Sequence, residues 1–225
     1  MKKTDLKYID HLGIDRVLER RSGRIIEEDD DVLFARDDIS GAYFLICNDL
    51  KKSRDIISKH QDIRLLMTSD IGVGRVLFEE FGFKEKLECY QAAYYGEPPE
   101  DEGILRFCYA DKEDLKTVTD AYHMISAEEM KKVIERKCLL LGFKDETPVG
   151  FIGEHLEGSM GLLYVFPEYR RKSYAYELEK AFIALTMKRG LIPFGQIEKD
   201  NEASLKLQEK LGMTVSEDLI CWMWK

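Results

Sequence analysis

The sequence predicts a mixed α/β (α+β) protein in two halves, on three observations. Hydrophobic periodicity gives the same element order in each half: two strands, a helix, a strand, a helix ended by glycine, and a strand. A run unsuited to regular pairing, Gly96-Glu97-Pro98-Pro99-Glu100-Asp101-Glu102-Gly103, separates the halves. Of the 225 residues, 44% are hydrophobic and 34% charged, a globular balance that excludes a disordered chain.

In the first half, residues 6–20 read as a helix. The acidic run 27–31 reads as a solvated loop rather than a metal site, because consecutive carboxylates cannot converge on one ion. Residues 32–36 and 42–47 read as strands around an Asp-Asp-Ile-Ser-Gly turn. Residues 50–59 form a helix with Ile56 and Ile57 on its apolar side, 63–67 a short strand, 71–81 a helix stopped by Gly82, and 87–95 a strand.

In the second half, 104–109 is a strand and 111–122 a helix. Ser126-Ala127-Glu128-Glu129 is a capping box that starts another helix. Strands follow at 138–143, 149–154 and 162–166. Residues 172–189 form a strong amphipathic helix, with Leu178, Ala181, Phe182 and Leu185 at helical spacing before Gly190. A strand at 193–197, a helix at 204–211 ended by Gly212, and a strand at 215–224 complete the chain. At an offset of 130 residues, Asp70, Leu77, Glu79 and Gly82 align with Asp200, Leu207, Glu209 and Gly212, which suggests a duplicated module.

The composition excludes several functions. A net charge of −9 disfavours nucleic acid, whose phosphates would be repelled. No apolar run reaches the roughly 18 residues that span a bilayer, and the charged start Met1 to Lys7 has no leader-like stretch. The five cysteines are scattered, with no C-x-x-C pair for zinc, and read as reduced core residues of a cytoplasmic protein. No phosphate loop of nucleotide kinases and no Gly-x-Ser-x-Gly elbow is present. Gly72-x-Gly74 stands inside a helical pattern.

The stretch that carries chemistry runs from Leu163-Tyr164-Val165 through Phe166-Pro167-Glu168-Tyr169 to Arg170-Arg171-Lys172-Ser173-Tyr174-Ala175-Tyr176. A strand leads through a basic loop into a helix start. The first turn of a helix carries unpaired N–H groups and partial positive charge, so it can hold an anion. Small residues at Ser173 and Ala175 allow close approach. The alternative, cations that merely decorate a helix start, places like charge against the dipole.

This segment resembles the Gln/Arg-x-x-Gly-x-Gly/Ala motif of GNAT acyltransferases, with Ser173 in place of the first glycine. The Val-x-Pro-Glu-Tyr-Arg run before it is similar to that family as well. Asp200-Asn201-Glu202-Ala203-Ser204, with Leu207 and the Leu-Gly-Met end at 211–213, resembles the family's Asn-x-x-Ser helix, although alone it would read as an N-capped surface helix. The resemblance covers 104–225. It implies a central, mostly antiparallel twisted sheet flanked by helices. It also implies an acetyl-CoA or other acyl-CoA site. Loop amides at 170–176 would hold the pyrophosphate, the splayed strand Leu163, Tyr164 and Val165 would offer backbone groups to the pantetheine, and Asn201 and Ser204 would lie along the cofactor arm. Residues 1–96 then become a degenerate partial copy, 97–103 a linker, and 104–225 the acyltransferase domain. The arrangement is similar to that of glycine N-acyltransferase-like proteins.

Direct acyl transfer needs a polarised carbonyl and a proton acceptor. The resemblance implies a backbone N–H, that of Val165, for the first. Glu198 is the first candidate for the second, Glu154 the next and His155 the third. Each competes with a plain reading as a solvated strand-end group. Position 208, where many relatives carry a tyrosine acid, is Gln208. After the strand at 42–47 the first half has Asn48-Asp49-Leu50-Lys51, without glycine or arginine, and is expected to bind no coenzyme A. The expected acceptor is the primary amine of a small molecule or amino acid, with a protein amine as a second possibility. No metal, membrane or nucleic-acid partner is expected, and the chain is a monomer or homodimer. A non-catalytic acyl-CoA-binding or regulatory module is the alternative, favoured by Ser173 and Gln208.

Overall fold

The computed structural model describes residues 6–225, with side chains from residue 9 onward; the leader reading of residues 1–5 lies outside the described residues. The chain forms two compact units. One runs to Ala93 and includes Gln196–Glu209 and Met213–Lys225; the other is Tyr94–Gly195 with Lys210–Gly212.

The first unit begins with a 3-10 turn, Leu6–His11, and α1 (Leu12–Glu19), where one continuous helix is expected from periodicity. It continues with β1 (Gly23–Glu28), β2 (Leu33–Asp37), β3 (Tyr43–Ile46), α2 (Leu50–Ser58), β4 (Leu65–Thr68), α3 (Ile71–Glu80) and β5 (Glu85–Ala93). Its sheet runs β1-β2-β3-β4-β12-β5, where β12 is Ile220–Trp224. β3 and β4 pair in parallel. The ladders of β2 with β1 and β3, and of β12 with β4 and β5, are antiparallel. Alternate side chains enter two cores. Phe34, Leu45, Leu66 and Met223 meet α2 and α3 through Ile56, Ile57, Val73 and Leu77. Ala35, Phe44, Met67 and Trp222 meet Ile14 and Val17 of α1. Burial on both faces explains why β3 and β12 are apolar throughout instead of alternating.

Two expectations need correction. The acidic run is not all loop, because Glu27 and Glu28 belong to β1, an exposed edge strand. Beyond it, Lys52 binds Asp29 and Asp31. The final strand is broken: β11 (Thr214–Val215) pairs with Ala92 and Ala93 of β5, and β12 starts only at Ile220. Ser216 causes the break. Its N–H donates to the Gln91 carbonyl, and its hydroxyl accepts from the Gln91 N–H.

The second unit contains β6 (Arg106–Tyr109), α4 (Leu115–Ala121), α5 (Ala127–Glu135), β7 (Leu139–Lys144), β8 (Thr147–Glu154), β9 (Met160–Val165), α6 (Tyr174–Lys188) and the start of β10 (Phe194–Glu198). β6 to β9 form an antiparallel meander. Ser126 caps α5 by accepting from the Glu129 N–H at 3.1 Å, as the capping box predicts. The buried stripe of α6 is Leu178, Phe182, Ile183 and Thr186; Ala181 and Leu185 are only half-buried. Gly142 and Gly150 admit Leu178, whose methyls lie 2.8 and 3.1 Å from where their Cβ atoms would stand. Of the five free cysteines, Cys47, Cys89 and Cys221 are core residues, whereas Cys108 and Cys138 are half-exposed. No helix among the described residues is long and apolar enough to cross a membrane.

Candidate acyl-CoA site

The strand β9, the basic loop and the start of α6 are continuous within the second unit. β9 carries a bulge. Its register against β8 shifts between Phe151 and Gly153, and Leu162, 1% exposed, adopts φ +52°. A leucine in left-handed backbone at a buried position is held there by its surroundings.

Beyond the bulge, Gly150 stands opposite Val165. The Phe166 N–H donates to the Val149 carbonyl at 3.0 Å, so Gly150 and Val165 are the wide, non-hydrogen-bonded pair. The N–H and C=O of Val165 therefore point away from β8, and by alternation so do those of Leu163. Pairing of β9 with β10 is confined to Met160 and Gly195, which leaves this edge outside that ladder. The Val165 carbonyl accepts from Arg170 Nε at 3.1 Å, and the Arg170 guanidinium lies over the Tyr164 ring.

The loop is exposed at Arg171, Lys172 and Ser173. Arg171 and Ser173 both have positive φ, +60° and +62°. Ser173 is the N-cap of α6, yet its hydroxyl makes no capping bond. The amides of Tyr174, Ala175 and Tyr176 are first-turn donors, and the first intrahelical bond runs from Glu177 N–H to the Ser173 carbonyl. This is the chemistry a phosphate needs: uncapped amides at a helix start, with cations beside them. Lys172 rests over Tyr169, and Tyr176 packs against Lys180 and Lys210.

The other predicted residues fall elsewhere. Glu154 ends β8, buried, and accepts from Arg189 at 2.7 Å; its charge is already engaged. Glu198 ends β10, exposed, in the part of the chain that belongs to the first unit. There too, Asn201 caps α7 (Glu202–Leu211) by accepting from the Ser204 N–H at 3.0 Å. Gln208 of the same helix is buried.

Sequence reasoning missed the anchor of this strand end. Glu88 of β5, 8% exposed, takes both donors of Arg75 at 2.7 and 2.9 Å and the Lys199 ammonium at 2.7 Å. The Arg75 fork, the Lys199 ammonium and their charges hold the Glu88 carboxyl down to about 2. Gln196 donates to Gln91, which donates to the Ile9 carbonyl. These partners lie far apart in sequence, and no local pattern announces them. Two cavities do not include the loop residues 170–173 in their lining. One of about 310 Å³ is lined by Phe107, Leu140, Ala184 and Leu185; the other, about 490 Å³, is lined by Asp10, Asp30, Asp70 and Asp218.

The profile of the acetyltransferase (GNAT) family matches residues 87–213, more than half of the chain and including most of β5. No curated protein matches. Among solved structures, the chain is similar to a Drosophila protein at 13% identity, covering 98% of this chain and 89% of that one, with a TM-score of 0.67. It is also similar to a GCN5-related N-acetyltransferase from Kribbella flavida (11% identity, 98% and 95% covered, TM-score 0.60). A GCN5-related N-acetyltransferase-like protein from Streptococcus suis gives 16% identity, 98% coverage of both chains and a TM-score of 0.58. At such identities the likeness to solved structures is one of fold.

Proposed function

Because the chain belongs to the GNAT acetyltransferase family, we propose that it moves an acetyl or other acyl group from a coenzyme A thioester to the primary amine of a small molecule or amino acid. The carrying observation is the helix start at Ser173. Its cap hydroxyl is unused, its backbone is left-handed, and Arg170, Arg171 and Lys172 precede it. These residues fit a diphosphate.

The bound thioester supplies an electrophilic carbonyl. The chain's own groups do the rest. Amides 174–176 and the loop cations hold the diphosphate. The outward backbone groups of Leu163 align the pantetheine, and the Val165 N–H is the donor available to polarise the carbonyl. Asn201 and Ser204 are proposed to line the cofactor arm. Residues 1–96 are proposed as a degenerate partial copy with no coenzyme A site of their own. The five free thiols of the chain suit a reducing compartment, the cytoplasm.

Calorimetry with acetyl-CoA and thiol release with a panel of primary amines test the proposal. Arg171→Ala with Lys172→Ala should weaken acetyl-CoA binding at least tenfold. Binding without turnover across the panel would instead favour a regulatory acyl-CoA-binding module, and no binding would end the reading.

A further inference from the structure

The described part of the second unit holds a second group of ionisable side chains, at the opposite end of β9 from the cationic loop. His155 follows β8 in a tight turn: its N–H donates to the Ser159 carbonyl and its carbonyl accepts from the Gly158 N–H, both at 2.9 Å. The turn fixes the ring against Gly161. A Cβ at 161 would stand 2.6 Å from His155 Nε2 and 2.7 Å from Cδ2, so the imidazole occupies the place of the missing side chain. Gly161 directly precedes Leu162, the bulge. Nε2 therefore lies against β9 four residues before Val165, on the side of the bulge away from the cationic loop.

The surroundings are acidic and partly dry. Glu157, 8% exposed, accepts from the Ser159 hydroxyl in the same turn. Glu129 of α5 is half-buried. Burial pushes its carboxyl up, and Glu157 adds to this, while His155 and Lys132 oppose it. Tyr122, which ends α4 edge-on to Phe151, has its phenol pushed up by burial and by Glu129. A half-buried imidazole, with the Glu157 carboxylate in its own turn and the Glu129 carboxylate within electrostatic reach, suits a primary amine: the carboxylates attract its ammonium form and the imidazole can take a proton from the attacking amine.

Resting on the acyl-transfer reading, we propose that the acceptor amine docks against His155, Glu129 and Glu157, and that His155 is the proton acceptor of the reaction in place of Glu198. The ammonium first loses one proton to solvent. The free amine then attacks the carbonyl carbon, and as the C–N bond forms a second N–H proton passes through water to His155 Nε2. The C–S bond breaks with its electron pair on sulfur. The imidazolium returns the proton to the thiolate, directly or through water, leaving amide, thiol and neutral imidazole.

The test uses the full chain with propylamine and acetyl-CoA. The chain has four histidines, so the His155 ring signals in proton–nitrogen NMR are identified by their loss in His155→Asn. Propylamine without coenzyme A should shift them and leave the other three in place. His155→Asn and His155→Gln should lower kcat/KM at least about a hundredfold, with acetyl-CoA binding within threefold of wild type and melting temperature unchanged. Glu198→Gln should change kcat/KM less than threefold. Gly161→Ala, which evicts the ring, should reproduce the histidine loss. An imidazole unmoved by propylamine, or a His155 variant with turnover within threefold of wild type, overturns the assignment. A large loss in Glu198→Gln alone returns the role to that carboxylate. If acetyl-CoA gives no heat, the acyl-transfer reading falls, and this inference with it.

Discussion

Replacing Ser173 by glycine separates what the loop backbone requires from what its side chain does. Ser173 sits at φ +62°, ψ +11°, and its hydroxyl caps nothing. The substitution therefore removes no hydrogen bond. Left-handed backbone costs an L-residue about 1–2 kcal/mol, which glycine escapes. Glycine also loosens the unfolded chain, returning about 0.4–1 kcal/mol. The net gain is about 0.5–1 kcal/mol. For a protein of this size that is about 1–4 °C in melting temperature, readable by scanning calorimetry. Ser173→Ala keeps the strain and should leave the melting temperature unchanged, whereas Ser173→Val should lower it. Removing the hydroxymethyl group also uncovers the first-turn amides, so acetyl-CoA should bind Ser173→Gly at least as tightly as wild type. A lower melting temperature for the glycine variant, or binding weakened more than threefold, would refute both the strained cap and the amide cradle.

Glu88→Gln should be less stable than the parent above pH 4.5 and converge with it toward pH 2. A carboxyl lowered from 4.5 to about 2 stabilises above its unfolded value and loses that contribution as pH falls. The difference is at most about 3 kcal/mol, measured by urea melts from pH 2 to 7. Asp10 behaves oppositely: burial and then Asp218 push it up to about 6, and its Oδ1 is buried without a hydrogen bond. Its protonated form stabilises below about pH 4, and that contribution is gone above pH 6, so Asp10→Asn should gain about 1–2 kcal/mol at pH 7.5 and nothing at pH 4. Gly150→Ala would place its Cβ 2.3 Å from the Tyr164 carbonyl oxygen and 3.0 Å from Val165 Cα. Those atoms are backbone and cannot step aside, so the variant should lose about 2–3 kcal/mol, seen in denaturant melts, and a smaller acetyl-CoA thermal shift.

The parts of the molecule legible in sequence are those specified by nearby residues. The start of α6 is announced by three cations and small residues within six positions, and the capping box at Ser126 by a contact three residues long. β1 escaped notice because an edge strand buries little, and its charged residues, Arg24, Glu27 and Glu28, read as loop. The place of β12 between β4 and β5 was hidden for another reason. Ile220 to Trp224 says strand, but which strands it joins depends on partners 131 to 159 residues away. At the site, Leu162 bears no mark of its left-handed backbone, since leucine is not a residue that favours it. The Glu154–Arg189 pair likewise joins two element ends that periodicity treats separately.

The two halves differ most where their order of elements is most alike. After β3, the helix α2 begins at Asp49, whose carboxylate accepts from the Lys51 and Lys52 N–H groups at 2.8 and 3.0 Å. An anion is thus already built into that helix start, and a phosphate arriving there would meet a fixed negative charge. After β9, α6 begins at Ser173, whose side chain makes no capping bond; its first acid, Glu177, comes four residues later. The strands differ in the same sense. β3 and β4 pair in parallel at three register positions, while β9 and β10 pair at one. Closing the first gap satisfies backbone groups that the second leaves turned outward. A helix start uncapped by its own side chain and a strand edge left outside its ladder are each destabilising in isolation. Their coincidence on consecutive segments of one unit is what the proposed acyl-CoA would answer: an anion for the amides, and an extended arm with hydrogen-bonding groups for the strand.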